Sequence, residues 1–501
     1  MTDNADKNIL KAQKKLADKA ASADPTSPEN LPLHDEGYNK SLSERHMNMM
    51  AIGGAIGTGL FMGAGVRLNQ VGPSLIVVYA LCGLCAFMIL RAVGQLVMYR
   101  PSSGSFVTYA REFLGEGAAY TAGWFFCLNW ALTGIADISA VALFVHYWAS
   151  FQFIPQWTIA LAALCIVMAS NLVGVRYFGE MEFWLSLIKV ASIIVFLVVG
   201  ISVLAFGIHL HTNIAGHVET ITPGVHMVAQ HGGFFPHGFL PAILLIQGVI
   251  FAYAATELIG VTAGECAEPR KIVPKAVNSI IWRITIFYVG SIALLALVLP
   301  WSAYKAGESP FVTFFSSIGV GGTATIMNLV VITAALSSLN SGLYSTGRVL
   351  RALSLSGSAP KILSRLSKQK VPYVGILATV GVYIIGVGLN FFIPSQVFEL
   401  ALGVASIGFL GVWATILLCQ LRLFKEIKEG RIAPTGFPMP FAPYSGWIAL
   451  AFLASILVMM AFDYPSGTFS VAALPIFAVL LFIGWQFVRK NKQKNMQNPE
   501  Q

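Results

Sequence analysis

The chain has 501 residues, 56% of them hydrophobic and only 11% charged, with a mean hydropathy of +0.71. A soluble globular domain carries about 25% charged residues, so the composition excludes a soluble enzyme and points to a multi-pass membrane protein. The formal charge of +9 is no nucleic-acid signature, because where the charges fall matters more than their sum. No nucleic-acid partner is expected; the partners are a lipid bilayer and a small solute.

Residues 1–40 are polar, with Lys7, Lys11, Lys14, Lys15 and Lys19 and no apolar run. They are expected to form a flexible cytoplasmic tail rather than a cleaved signal, with helical character near Ile9–Ala21. Met47–Arg67 follows and is long enough to cross a bilayer, which takes about 20 residues. Its centre, Gly53-Gly54-Ala55-Ile56-Gly57-Thr58-Gly59, is a poor helix, since each Gly costs roughly 0.8–1 kcal/mol against Ala. Two readings fit: glycines that let helices pack closely, or a helix broken at mid-membrane around a solute.

Further apolar runs lie near 73–97, 118–148, 156–174, 181–206, 241–263, 278–300, 323–352, 372–392, 395–423, 444–462 and 468–488. With the broken first run they make twelve spans in a membrane domain of residues 41–488, before a basic tail at 489–501. Arg100, Arg111, Arg176, Arg270–Arg283, Arg348–Lys370, Arg422–Arg431 and Arg489–Lys494 all fall on one side if the N-terminus is inside. Only Arg67 and Lys305 fall outside, so by the positive-inside rule both termini are cytoplasmic. Cys82-Gly-Leu-Cys85 sits within an apolar run and reads as packing; no disulfide is expected. The outer 207–240 stretch carries six histidines, His209, His211, His217, His226, His231 and His237. Their spacing fits no compact metal motif, so the stretch is expected to be a solvated loop. No metal or cofactor is expected.

A second interruption, Phe251-Ala-Tyr-Ala-Ala-Thr-Glu257-Leu-Ile-Gly260, lies in the sixth span. If spans 1–5 and 6–10 are inverted repeats, spans 1 and 6 correspond, and paired interrupted helices at corresponding positions point to a transport site at the midplane. Free amides at the broken ends suit a carboxylate and free carbonyls suit an ammonium. Together they suggest an α-amino acid.

Three charges within apolar runs are candidates for function. Glu257 is costly there, by roughly 2.5–3.5 kcal/mol; it either binds a proton or braces the broken helix, and bracing is the reading favoured. Lys189 either snorkels to the interface or is a buried amine that gains and loses a proton. Asp137 is placed near the outer face, where a structural role is expected. Ser337, Ser338 and Ser341 share a face of span 8, either as interhelical glue or as part of a proton site. No histidine stands beside a candidate serine in a span, so no catalytic triad forms and the protein is not expected to be an enzyme.

Ile52–Phe61, Arg100-Pro-Ser-Ser-Gly-Ser-Phe106, Phe178-Gly-Glu-Met-Glu-Phe-Trp184 and Gly264-Glu265 followed by Pro274-Lys-Ala resemble the amino acid–polyamine–organocation superfamily, in its amino acid transporter branch. The resemblance covers residues 37–488. Within the branch, His34–Tyr38, Pro300-Trp-Ser-Ala-Tyr304 and Ala461-Phe-Asp-Tyr-Pro465 are most similar to bacterial members that carry L-asparagine. Relatives for alanine, serine and glycine, GABA, aromatic or basic amino acids share the general motifs, and these substrates remain alternatives, as does an amino acid sensor.

The resemblance implies an all-α, twelve-helix, 5+5 inverted-repeat fold like the leucine transporter's, with spans 1 and 6 discontinuous and spans 11 and 12 outside the core. It implies that Gly57, Thr58 and Gly59 receive the substrate carboxylate. Carbonyls around Ala55, Ile56, Phe251, Ala252 and Ala254 receive the ammonium, and Phe251 gates the site. Lys189 matches a lysine that replaces a sodium ion in proton-coupled relatives, with Ser337, Ser338 and Ser341 near it and Glu257 the other candidate proton site. The expected function is import of an α-amino acid by proton symport, as a monomer in the cytoplasmic membrane. One departure stands out: the family's Gly-Glu-Leu at the end of span 2 is Gly94-Gln95-Leu96 here.

Overall fold

A computed structural model describes residues 42–53, 56–102, 104–214, 217–266, 268–305, 308–392, 397–464 and 466–497. The N-terminal tail and its His34–Tyr38 motif lie outside these residues. Helices dominate: α1 (Glu44–Gly53), α2 (Thr58–Phe61), α3 (Gly63–Val71), α4 (Leu75–Tyr99), α5 (Glu116–Val145), α6 (Gln156–Val173) and α7 (Val175–Phe206) come first. After a β-hairpin come α8 (Ile246–Ile250), α9 (Leu258–Thr262), α10 (Pro269–Arg283), α11 (Ser291–Val298), α12 (Thr323–Leu355), α13 (Tyr373–Phe392), α14 (Val397–Lys428), α15 (Tyr444–Phe462) and α16 (Leu474–Gln497).

Among the described residues, eleven helical runs are long and apolar enough to cross a membrane. The first run so counted, Gly63–Tyr99, has 37 residues, about twice a spanning length, and it bends at the Gly72–Ser74 turn. The run before it is interrupted: α1 has 10 residues and α2 only 4, so neither counts alone. Glycine punctuates the ends, as at Gly207, whose left-handed backbone (φ 61°) closes α7 with its N–H on the Val203 carbonyl; this is a common glycine terminus.

The core is built on α5, which packs against α14 and α12, while α12 also packs on α7 and α1 packs on α7. Large apolar side chains cover the outside instead of polar ones. In α16, Ile476, Val479, Leu480, Phe482 and Phe487 are all exposed, and that helix touches α5 through Tyr120–Trp485 (5.5 Å) and Lys492–Glu116 (2.8 Å). Such a surface is unstable in water and fits hydrocarbon. The helix continues to Gln497 and takes in the start of the basic C-terminal stretch.

One expectation changes. The 207–240 stretch contains an antiparallel hairpin, β1 (Leu210–Ile214) with β2 (His217–Ile221), pairing Leu210 with Ile221. The chain is therefore not wholly α. Alternation shows in β1, where Leu210 and Thr212 are buried and His211 between them is exposed, a period of two; in β2 only Ile221 is buried. Gln95, where the family pattern has Glu, is held by neutral partners. It makes no bond with Arg91; its Oε1 accepts from Gln420 Nε2 and from the Met439 N–H, both at 3.1 Å. Arg91 instead donates to Asn278 (2.7 Å) and lies over the Phe437 ring, 3.8 Å from its centroid. A neutral amide can hold the loop before α15 without a buried charge.

Leu42 and Cys266, Arg45 and Glu180, and Arg348 and Glu265 meet at one end of the bundle, the basic end; His211 of the hairpin lines a cleft with His146 and Lys305 away from it.

Candidate functional site

The first break follows Gly53. Ile56 and Gly57 are non-helical, and α2 restarts with the N–H groups of Leu60 and Phe61 both on the Gly57 carbonyl at 3.2 Å. A Cβ built on Gly57 meets nothing within 4 Å, whereas one on Gly59 would stand 2.8 Å from the Ala252 Cα. The two glycines thus serve different ends: one faces open space, the other allows backbone contact between the broken helices. Arg67, only 8% exposed, donates to the Gly59 carbonyl at 3.2 Å and lies against Gly248 of α8.

The second break lies between α8 and α9. A tight turn at Phe251–Tyr253 closes with Ala254 N–H on the Phe251 carbonyl (2.9 Å), and Ala255 then takes a left-handed backbone at φ 69°. That conformation costs an L-residue about 1–2 kcal/mol and persists where packing imposes it. The packing is aromatic: Tyr253 stacks on Tyr288 at 4.6 Å and donates to the Tyr79 carbonyl at 2.7 Å.

Of the expected site residues, Ala55 lies outside the described residues. Ile56, Gly57, Thr58, Gly59, Phe251, Ala252 and Ala254 all belong to the two facing breaks, and Phe251 packs within reach of Gly59. The Phe251 carbonyl is already engaged by Ala254. Glu257 is fully buried beyond the break; Trp413 Nε1 of α14 donates to its Oε2 at 3.1 Å, and its Oε1 has no hydrogen-bond partner among the described residues.

The expected serines diverge. Lys189 Nζ donates to Ser337 Oγ at 2.8 Å, and Ser337 donates to Glu182 Oε1 at 2.5 Å. Ser338 turns to Asp137, which also accepts from Thr58 Oγ1 at 3.2 Å. Asp137 is fully buried against the first break, not near an outer face; hydropathy sets the depth of a residue in a long span only coarsely. Ser341 lines a cavity of about 20 Å³ with Thr256, Ala255, Phe178 and Tyr344, room for about one water. Glu257 and Lys189 therefore occupy separate networks.

Below that cavity the basic end is shut. Phe178 and Tyr344 stack at 3.8 Å with planes 9° apart. Arg348 bonds both oxygens of Glu265, each side chain nearly unexposed, and its guanidinium lies 3.3 Å from the Tyr344 ring centroid. Leu42 bridges Cys266 in parallel, while Arg45 and His46 both reach Glu180. At the hairpin end, by contrast, an open cleft of about 480 Å³ is lined by His146, His211, Lys305, Ser309 and Asn328 among others.

A family model for amino acid permeases matches residues 46–497. The chain belongs to the amino acid permease family. It is 59% identical over 460 residues to the L-asparagine permease of Escherichia coli K12, covering 92% of this chain and 91% of that one. It is 58% identical over 460 residues to the L-asparagine permease of Salmonella typhimurium, with the same shares. Over 471 residues it is 52% identical to the L-asparagine permease of Streptomyces coelicolor, covering 94% and 95%. This permease is thus a multi-pass membrane transporter of amino acids and not an enzyme.

Three features of the permease escape a reading of residue patterns alone. Arg67 reaches the Gly59 carbonyl, Glu265 pairs with Arg348 across 83 residues of sequence, and Trp413 partners Glu257 across 156. Nothing local signals such contacts. Glu182 had a signal: it stands seven residues before Lys189, two helical turns away on the same face.

Proposed function

We propose that this permease imports L-asparagine across the cytoplasmic membrane by proton symport, with both termini in the cytoplasm and a single chain as the working unit. The observation that carries this reading is the backbone contact of Gly59 with Ala252, which puts the two broken helices against each other beside open space at Gly57. Amides of Gly57, Thr58 and Gly59 take the carboxylate. Carbonyls of Ala55, Ile56, Ala252 and Ala254, with that of Phe251 in a shared role, take the ammonium, and the Phe251 ring covers the site. Glu44–Val71 counts as one broken span, giving twelve, and the first ten form the inverted repeats. L-asparagine as substrate is supported by the L-asparagine permeases to which the chain is 52–59% identical.

Coupling is assigned to Lys189. Protonated, it ties α7 to α12 through Ser337; neutral, it loosens that tie and lets the basic end open. The closed stack and ion pair at that end, with a cleft at the other, fit the outward-facing half of such a cycle. Uptake of labelled asparagine by proteoliposomes, with and without an inward proton gradient and with sodium present or absent, tests the reading. Accumulation that follows the proton gradient and ignores sodium supports it; accumulation that needs sodium, or none with any gradient, overturns it.

A further inference from the structure

A fully buried carboxylate that the transport reading leaves without a role stands next to Lys189. Glu182 lies on α7, about 10 Å along the helix from Lys189 towards the basic end, at 1.5 Å per residue. Its Oε1 accepts from Ser337 (2.5 Å) and from Ser186 (3.2 Å), and its Oε2 accepts from Asn340 Nδ2 at 3.2 Å. All three contacts are donors, the set an ionised carboxylate takes. Asn340 Oδ1 in turn accepts from Asn171 Nδ2 (2.7 Å) and Ser170 Oγ (3.2 Å), and Asn171 is two residues from the end of α6. A polar trail therefore runs from Lys189 to the basic end through otherwise apolar packing.

The hydrogen bonds along it share one direction. Lys189 donates to Ser337, and Ser337 donates to Glu182. We propose that Glu182 is the group that discharges Lys189, a proton relay towards the basic end. This rests on the proton-symport reading and on Lys189 as carrier. The step balances: the Lys189 ammonium gives a proton to Ser337 Oγ as the Ser337 hydroxyl proton passes to Glu182 Oε1. A neutral amine, a regenerated hydroxyl and a neutral carboxylic acid result, and the acid yields its proton to water once the Phe178–Tyr344 stack parts.

Other titratable groups lie on elements packed against α7. His46 and Arg45 of α1 bond Glu180, which lies on the exposed side of the helix. Asp137 of α5 interacts with Lys189 through charge; it accepts from Thr58 and Ser338, and its Oδ2 has no hydrogen-bond partner among the described residues. Arg348 of α12 is bonded to Glu265. Among the described residues, Glu182 is the carboxylate that shares a hydroxyl with Lys189.

The test compares wild type, Glu182→Gln, Glu182→Asp and Ser337→Ala in proteoliposomes, by two readouts. Counterflow, the exchange of labelled for unlabelled asparagine, needs no net proton release; accumulation driven by a pH gradient does. Glu182→Gln keeps an acceptor oxygen and the side-chain volume, so counterflow should stay within about twofold of wild type while accumulation falls at least tenfold. Glu182→Asp should recover part of it, and Ser337→Ala should behave like Glu182→Gln. Wild-type accumulation by Glu182→Gln overturns the relay, as does equal loss of counterflow and accumulation in Glu182→Gln and Ser337→Ala, which marks a structural carboxylate. If wild type itself ignores the pH gradient, the symport reading fails instead.

Discussion

Gly59 and Ala252 touch backbone to backbone, 193 residues apart in sequence, at the level where both of their helices are broken. Gly57, two residues earlier, faces empty space. Gly57→Val should therefore abolish asparagine binding while leaving a folded protein, because the new side chain fills the space next to the amides. Gly59→Val should fail differently, by forcing α2 off the Phe251–Tyr253 turn and lowering thermal stability. Equilibrium binding and melting temperature in detergent separate the two; normal affinity in Gly57→Val would sink the carboxylate assignment.

Lys189→Ala removes the donor to Ser337. If Lys189 carries the proton, counterflow persists and concentrative uptake is lost. If its ammonium only packs, accumulation stays near normal. Proton-driven accumulation surviving in Lys189→Ala would shift the role to Glu257.

Trp413→Phe deletes the donor to Glu257 Oε2 and leaves a buried carboxylate short of a partner, a loss of about 1–3 kcal/mol or more. Adding Glu257→Gln removes the charge that needed satisfying. The double variant should then melt above Trp413→Phe alone. Equal or additive losses in a thermal-shift cycle would show that the pair does not brace the broken helix.

Competition should require both charged groups on the α-carbon. Asparagine lacking its α-amine (succinamate) and asparagine lacking its α-carboxylate (3-aminopropanamide) should each compete at least a hundredfold less well than asparagine in labelled uptake. Strong inhibition by either would remove one broken helix from substrate recognition.

Much of this was legible in residue order, because broken helices announce themselves locally. Gly53-Gly54-Ala55-Ile56-Gly57-Thr58-Gly59 is a poor helix in any context, and a carboxylate such as Glu257 within an apolar run draws notice by its desolvation cost alone. Contacts set by tertiary packing were not legible. The depth of Asp137 depends on how α5 slides against α2, which hydropathy fixes only to within a few residues. Ser337 and Ser338 share a face by helical period but turn to different partners, Glu182 with Lys189 and Asp137, because neighbouring helices flank that face on both sides. The hairpin was hidden by its histidines, which draw attention to metal chemistry, and by β2, where only Ile221 is buried and no alternation marks a strand.

The parallel bridge between Leu42 and Cys266 carries a consequence for observing the permease at work. Cys266 is 1% exposed, and it lies one residue from Glu265, whose bond to Arg348 seals the basic end. A parting of that end that moves Leu42 off Cys266 uncovers the thiol. The chain therefore owns a natural reporter of that end: the rate at which a maleimide modifies Cys266 tracks the fraction of time it stands open, without a label having to be engineered into the site.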